Sequence, residues 1–310
     1  MIRITSTKLC ASDFEPTFAY HYEIAGERVV FQARVNTLHA YEVERASKSF
    51  SELMSKNVEY KILNADNSSL HYQGKAQFVG RLRDVTCWQG DNGIQLDIEG
   101  TPICRIDFKG DRIHLLTSGD FDDRLALEAV TGPALIVLLA MRSIYCLHAG
   151  AVQTDVGNVL FIAESGVGKS TLSAQTGQSW NQLSDDLFPI SYKGKLRGLS
   201  RFPLLKLPNA TVAFNGAASE TIEIIFSLSD QPVKEISFER LSATDALLQI
   251  IRHTVAARLY DKSVMKKHIR FARHVVKNIP IVKLSYPRDY DQLPLLRKEI
   301  TSYIKRGDFN

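Results

Sequence analysis

AESGVGKS, Ala163 to Ser170, decides how the rest of the chain is read. The order is a small residue, four variable ones, Gly-Lys, then Ser: a phosphate-binding loop with Ala163 in the first small position. Gly166 and Gly168 let the backbone curl so that successive N–H groups point at a polyphosphate. Lys169 reaches the β- and γ-phosphates, and the Ser170 hydroxyl is a ligand for Mg2+. The flanks supply the context such a loop needs. Asn158 to Ala163 (NVLFIA) reads as a short buried strand, and Lys169 to Gln178 as a helix whose positive end faces the phosphates. The candidate nucleotide-binding set is Glu164, Ser165, Gly166, Val167, Gly168, Lys169, Ser170 and Thr171, with ATP and Mg2+ as the expected ligands.

An acidic pair, Asp185-Asp186, follows Lys169 by sixteen and seventeen residues. In the usual phosphate-loop ATPase the metal-side aspartate ends a strand much further along. Here one helix of about ten residues, rising about 15 Å, returns the chain to the sheet. Asn181 to Ser184 is then the very next strand, with the acids at its end. Adjacent strand residues point to opposite faces, so two acids can divide two tasks. One holds Mg2+, directly or through water; the other accepts the proton of an incoming hydroxyl during phosphoryl transfer. The bland alternative is a solvated turn.

The bulk properties set the limits. A chain of 310 residues is long enough for two domains, and a net charge of +4 excludes a general polyanion binder by composition. The charge is uneven. Between Ile251 and Asn310 there are 14 Lys/Arg against 5 Asp/Glu, leaving +9 there and −5 elsewhere. A solvated face on C-terminal helices accounts for this; a face that guides an acidic partner or the nucleotide is the sharper alternative. Cys10, Cys87, Cys104 and Cys146 match no zinc or redox spacing, which points to a reduced, cytoplasmic setting. The N-terminus shows no long apolar region and no cleavage signature. The most apolar stretch, Ala129 to Met141, is thirteen residues with Gly132-Pro133 inside, too short to span a bilayer and suited to a buried helix. Neither a membrane nor a nucleic-acid partner is expected.

The chain divides near residue 120. Residues 1–120 read as a β-rich accessory or substrate-recognition domain, with strands at Phe18–Ile24, Arg28–Val35, Glu59–Leu63, Gln77–Leu82, Ile94–Glu99, Pro102–Phe108 and Arg112–Leu116. Turn signals sit at Ala25 to Glu27, Asp91 to Gly93 and Lys109 to Asp111. Thr37 to Met54 is the one helical interruption. His21, His39, His71 and His114 have no second ligand nearby and read as surface or structural residues. Residues 121–310 read as the catalytic domain, a mixed α/β core around one strand–loop–helix unit. Its elements are a helix over Leu125–Met141, a strand Ile144–Leu147 ending at His148, and a hairpin around Asp155 to Asn158. After the loop come Lys195–Leu199, a Pro-rich strip Phe202–Pro208, a strand Thr221–Leu228, and helices near Ala243–Thr254 and Val264–Asn278.

His148, AESGVGKS and Leu183-Ser-Asp-Asp186 together resemble the catalytic domain of HPr kinase/phosphorylase and its relatives, a phosphate-loop group with a core similar to phosphoenolpyruvate carboxykinase. The resemblance covers roughly Leu125 to Leu296, with Ala163 standing for the family's first Gly. It implies an active-site role for His148 near the transferred phosphate, Lys169 as phosphate clamp and Ser170 as Mg2+ ligand. Asp186 becomes the base towards the substrate hydroxyl, and Asp185 assists the metal. Arg197-Gly-Leu199 looks like the remnant of a family segment, which makes Arg197 a phosphate-facing candidate. Lys195 stands where the family has an acidic metal ligand, so one carboxylate is missing. The N-terminal half is unlike that of the bacterial sugar-transport regulator. The chain looks like a divergent member, similar to serine kinases of peptide-modification and cell-surface biosynthesis pathways. Phe202–Pro208 and Leu241–Leu248 look like that branch. Assembly into a homo-oligomer is implied as well.

The function expected is in-line transfer of the ATP γ-phosphoryl group to an alcohol, a serine of a peptide or protein by preference. Arg201, Arg252 and Arg258 all remain open as the source of transition-state charge. A small-molecule kinase on the same core, or a nucleotide-responsive protein without catalysis, are the alternatives.

Overall fold

The chain forms two compact units, Met1–Arg142 with Ala256–Lys262, and Ser143–Val255 with Ser263–Asn310. The structure is a computed structural model that describes residues 2–6, 18–24, 27–33, 68–116, 124–174, 180–199, 221–231 and 233–307. The helix expected over Thr37–Met54, the strand Glu59–Leu63, the strip Phe202–Pro208, and Cys10, His39 and Arg201 lie outside the described residues.

Among the described residues of the first unit, eight strands form one sheet: β1 (Ile2–Ser6), β2 (Phe18–Ile24), β3 (Glu27–Ala33), β4 (Ser69–Phe78), β5 (Arg81–Gly90), β6 (Gly93–Ile98), β7 (Thr101–Asp107) and β8 (Arg112–Leu115). Their order is β2-β3-β1-β8-β7-β6-β5-β4. The chain turns between β5 and β6 at Asp91 and Asn92, and between β7 and β8 at Lys109 to Asp111, where the turn residues predict it. The strand expected across Gln77–Leu82 is instead the corner joining β4 to β5. Val79 and Gly80 carry positive φ (49° and 70°) there. Apolar Phe78, Val79 and Leu82 hide this corner, because a β-branched residue rarely takes positive φ.

The expected helix over Leu125–Met141 is two helices, α1 (Arg124–Ala129) and α2 (Leu135–Met141). A π-type turn at Val130–Ala134 joins them, and in it Gly132 leaves helical geometry (φ −93°, ψ −107°) beside Pro133. The pair packs on β7 and β8. It therefore groups with the first sheet, and the division between units falls at Ser143 rather than near residue 120. Arg124–Met141 is also 18 residues long and apolar enough to cross a membrane by length and composition. In this fold its Ala126, Val130, Leu135, Leu138 and Leu139 are buried, as in a core helix.

The second unit is a mixed α/β layer structure. In chain order its elements are β9 (Ile144–Thr154), β10 (Gly157–Ile162), α3 (Lys169–Ala174), β11 (Asn181–Ser184), β12 (Leu187–Tyr192), β13 (Leu196–Gly198), β14 (Ile222–Leu228), β15 (Ser237–Arg240), α4 (Ala243–His253), α5 (Lys262–Asn278), β16 (Ile281–Ser285) and α6 (Leu293–Arg306). The sheet order is β13-β12-β9-β10-β14-β16-β15, with β11 also beside β9. β10, β14 and β16 run parallel, so their carboxyl ends share one edge.

One face of this sheet packs Phe161, Phe226 and Trp180 against Leu296, Ile300 and Tyr303 of α6. On the other side Tyr145 stacks on Phe271 of α5, with ring centroids 4.4 Å apart. α5 buries Val264, His268, Phe271, Ala272 and Val275, an i, i+4, i+7, i+8, i+11 stripe. Its Lys262, Lys266, Lys267, Arg270, Arg273 and Lys277 are exposed, so part of the C-terminal positive surplus is a solvated helix face.

Candidate functional site

β10 is buried along its whole length and delivers the chain to the sheet edge at Ile162. There Gly166 (φ 82°) and Gly168 (φ 114°) bend it back into α3, in backbone conformations that side chains disfavour. Val167 is buried and anchors the loop, while Glu164, Ser165, Gly166 and Ser170 are exposed; Thr171 is partly buried. The Lys169 ammonium donates to the carbonyls of Ala163 (2.7 Å) and Glu164 (3.0 Å), so its charge sits at the loop itself.

α3 is pressed against β9 at Gly150. A Cβ on Gly150 would lie 2.9 Å from both the Lys169 carbonyl oxygen and the Ser173 Oγ. The small residues Ala149 and Gly150 resemble a strand end in the sequence, yet the ladder runs straight through them to Thr154. His148 is therefore inside β9, not at the end of a short strand.

β11 and β12 both run antiparallel to β9, with Ser184 opposite Ala151 and Leu187 opposite His148. Counting along the ladder sets Asp185 across from Gly150 and Asp186 across from Ala149, whose N–H donates to the Asp186 carbonyl (3.0 Å). Ser184 braces this bend. Its hydroxyl donates to the Leu187 carbonyl (2.7 Å) and accepts from the Asp186 N–H (3.3 Å). Ser before two Asp is a turn signal, and Ser184 makes that turn here.

The acids and the loop meet here. The Ser170 hydroxyl donates to the Asp185 carbonyl (3.2 Å). His148 Nε2 lies 3.1 Å from Asp186 Oδ1, and both side chains are partly exposed. Asp185 is buried. Hydroxyl and carboxylate oxygens are the hard donors that Mg2+ prefers, so Ser170 and Asp185 fit that ion. Among the described residues no group of three or more His, Cys, Asp or Glu side chains is placed to hold a metal alone. Mg2+ usually arrives with phosphate oxygens as co-ligands, and this donor set suits that arrangement.

The end of α4 forms a further wall. Val255 N–H donates to the Cys146 carbonyl (2.9 Å), and Thr254 bridges Leu147 of β9. Arg252 Nε stands 3.7 Å from Glu164 Oε1 of the loop. His253 beside it is buried, and burial pushes its pKa down to about 4. Glu164 pulls it the other way, while His148, Lys169 and Arg252 add to the depression. Sequence reasoning missed His253, because with Ala246 and Ile250 it lies on the buried stripe of α4 and reads as core. Thr254 Oγ1 donates to the Ile250 carbonyl (2.8 Å), so it accepts from His268 Nε2 (2.9 Å). Burial pushes His268 down to about 4 as well.

Arg197 stands on a different strand from His148 and the acids. It is exposed on β13, opposite Ser191, which in turn pairs with Ile144. Strand geometry then sets its backbone about 16 Å from that of His148. Lys195 is exposed beside it. Arg258 belongs to the Ala256–Lys262 segment of the first unit.

The chain matches no protein-family model and no curated protein sequence. Among solved structures, the Hpr(Ser) kinase/phosphatase from Coxiella burnetii is similar over 53% of this chain and 98% of its own, at 14% identity and a TM-score of 0.30. At that score the likeness adds nothing to the geometry described above.

Proposed function

We propose that the second unit binds ATP at the loop Ala163–Ser170 and transfers the γ-phosphoryl group to a hydroxyl, with a serine of a peptide or protein as the acceptor. This is the activity that the resemblance to HPr kinase/phosphorylase implies, in the cytoplasm, where ATP is the donor. One observation supports it: the Ser170 hydroxyl donates to the backbone carbonyl of Asp185, next to the His148–Asp186 pair, as a shared site for the loop and the acids requires.

In this reading the loop amides and Lys169 hold the phosphates, Lys169 exchanging its carbonyl partners for phosphate oxygens. Mg2+ held by Ser170 and Asp185 would neutralise phosphate charge. The acceptor oxygen attacks the γ-phosphorus, the bond to ADP breaks, and the hydroxyl proton passes to the Asp186 carboxylate. His148, beside Asp186, orients that carboxylate and faces the transferred group. Arg252, the arginine already at the loop, supplies transition-state charge. An ionised aspartate is a weak base, so Asp186 contributes on the order of 10²–10⁴ in rate.

Incubating the full chain with γ-labelled ATP, Mg2+ and a fractionated lysate tests the proposal. Label entering a polypeptide is the expected result. Label in a small molecule would make the acceptor a metabolite, and bound nucleotide with no transfer would make the loop a switch.

A further inference from the structure

The loop is held from two sides, by residues that lie outside its motif. Below Lys169 and Ser173 lies Gly150, which admits no side chain. Against Gly168 lies the hydroxyl of Tyr286, the residue that follows β16. A Cβ built on Gly168 would sit 2.6 Å from the Tyr286 Oη. The Tyr286 ring is buried in the same core cluster as Val167 and Leu172, together with Leu293, Leu296 and Ile300 of α6. It is a rigid post rooted in the core, with its polar tip at the glycine just before Lys169. β16 is parallel to β14, and β14 to β10, so the chain beyond β16 leaves the sheet at the same edge as the loop.

We infer that Tyr286 is a positioning residue for the phosphate loop, its hydroxyl setting the height of Gly168 and hence the direction of the amides around it. This rests on the proposal that the loop binds polyphosphate. Gly168 holds φ 114°, a conformation glycine adopts and leaves with little penalty; its carbonyl is tied to the Leu172 N–H (3.0 Å), and Tyr286 adds a contact from the core side. Removing the hydroxyl opens a gap of one heavy atom beside Gly168, and the loop can sag into it. The ring keeps its place in the core, so the fold is retained.

Tyr286→Phe is the test, with binding of inorganic tripolyphosphate and of ATP measured by calorimetry in the presence of Mg2+, alongside the melting temperature. Both dissociation constants should rise together by about three- to tenfold, with the melting temperature nearly unchanged. Loss of ATP affinity alone would put Tyr286 at the nucleoside end and overturn the inference. Unchanged affinities would overturn it too, whether or not the melting temperature falls. If the unaltered protein binds neither ligand, the phosphate-loop reading fails first, and that outcome is distinct. Gly168→Ala gives a second reading. Its loss of tripolyphosphate affinity should be smaller in the Tyr286→Phe background than alone, and strict additivity would contradict the contact.

Discussion

The Ser170 hydroxyl donates to the Asp185 carbonyl across 3.2 Å, tying the first turn of α3 to the bend that carries both acids. Loop and acids come from segments fifteen residues apart in the chain, and β9 is the element that aligns them. Disturbing either side of this tie should therefore be felt in nucleotide chemistry before it is felt in the fold.

Lys169→Ala removes the ammonium that the proposal sets on the phosphates. ATP affinity should fall by about 10- to 100-fold, the range for one hydrogen bond to a charged group. Titration with a fluorescent ATP analogue reads this directly. A variant with full activity would remove the loop from consideration.

Gly150→Ala places a methyl 2.9 Å from the Lys169 carbonyl and the Ser173 hydroxyl. Overpacking against backbone should cost about 1–3 kcal/mol of stability. Because α3 must shift to make room, ATP affinity should fall with it. Chemical denaturation together with the same titration checks both, and an unperturbed variant would show that α3 does not bear on β9 here.

Arg252 and Arg197 should separate cleanly. Arg252 and its partner Glu164 are both largely exposed, so losing the pair costs little stability. Arg252→Ala should instead lower the transfer rate, on the order of 10²-fold for one transition-state donor. Arg197→Ala, far along the edge strand, should leave the rate within about twofold of the unaltered protein. Initial rates at saturating ATP decide the matter, and equal losses would contradict the assignment.

Acid should weaken the second unit through His253 and His268. Burial holds both near pKa 4 in the fold, against an ordinary value near 6.5. Above pH 6.5 both are neutral whether folded or unfolded, and stability is at its full value. Below it the unfolded chain takes up protons that the folded chain refuses, so stability falls between pH 6.5 and 4. Each histidine can account for up to about 3 kcal/mol across that window. Urea unfolding at several pH values should show the decline, and His268→Gln should flatten part of it. A pH-independent midpoint would contradict this account.

Much of the fold was legible because its signals are local. The strand before the loop is a continuous apolar run, the loop glycines are unmistakable, and α5 repeats its apolar residues with helical period. The corner at Val79 and Gly80 was not legible, since its residues look like strand. His148 looked like a strand terminus because Ala149 and Gly150 carry no bulk; their smallness serves the helix above them, which only the sheet pairing reveals. Arg197 was assigned from a short motif that cannot say which strand forms the edge. His253 and Tyr286 escaped for one shared reason: each sits on a buried face, where a polar tip cannot be told from core by spacing. β16 and α6 carry no distinctive motif, though both complete the layer around the loop.

The central claim is that Asp186 takes the acceptor's proton while the loop holds the nucleotide, and Asp186→Asn measures it most directly. With ATP binding and phosphoryl transfer determined on the same preparation, affinity should stay within about twofold while transfer falls by about 10²–10⁴. Transfer at the unaltered rate, or binding and transfer lost in equal measure, would contradict it.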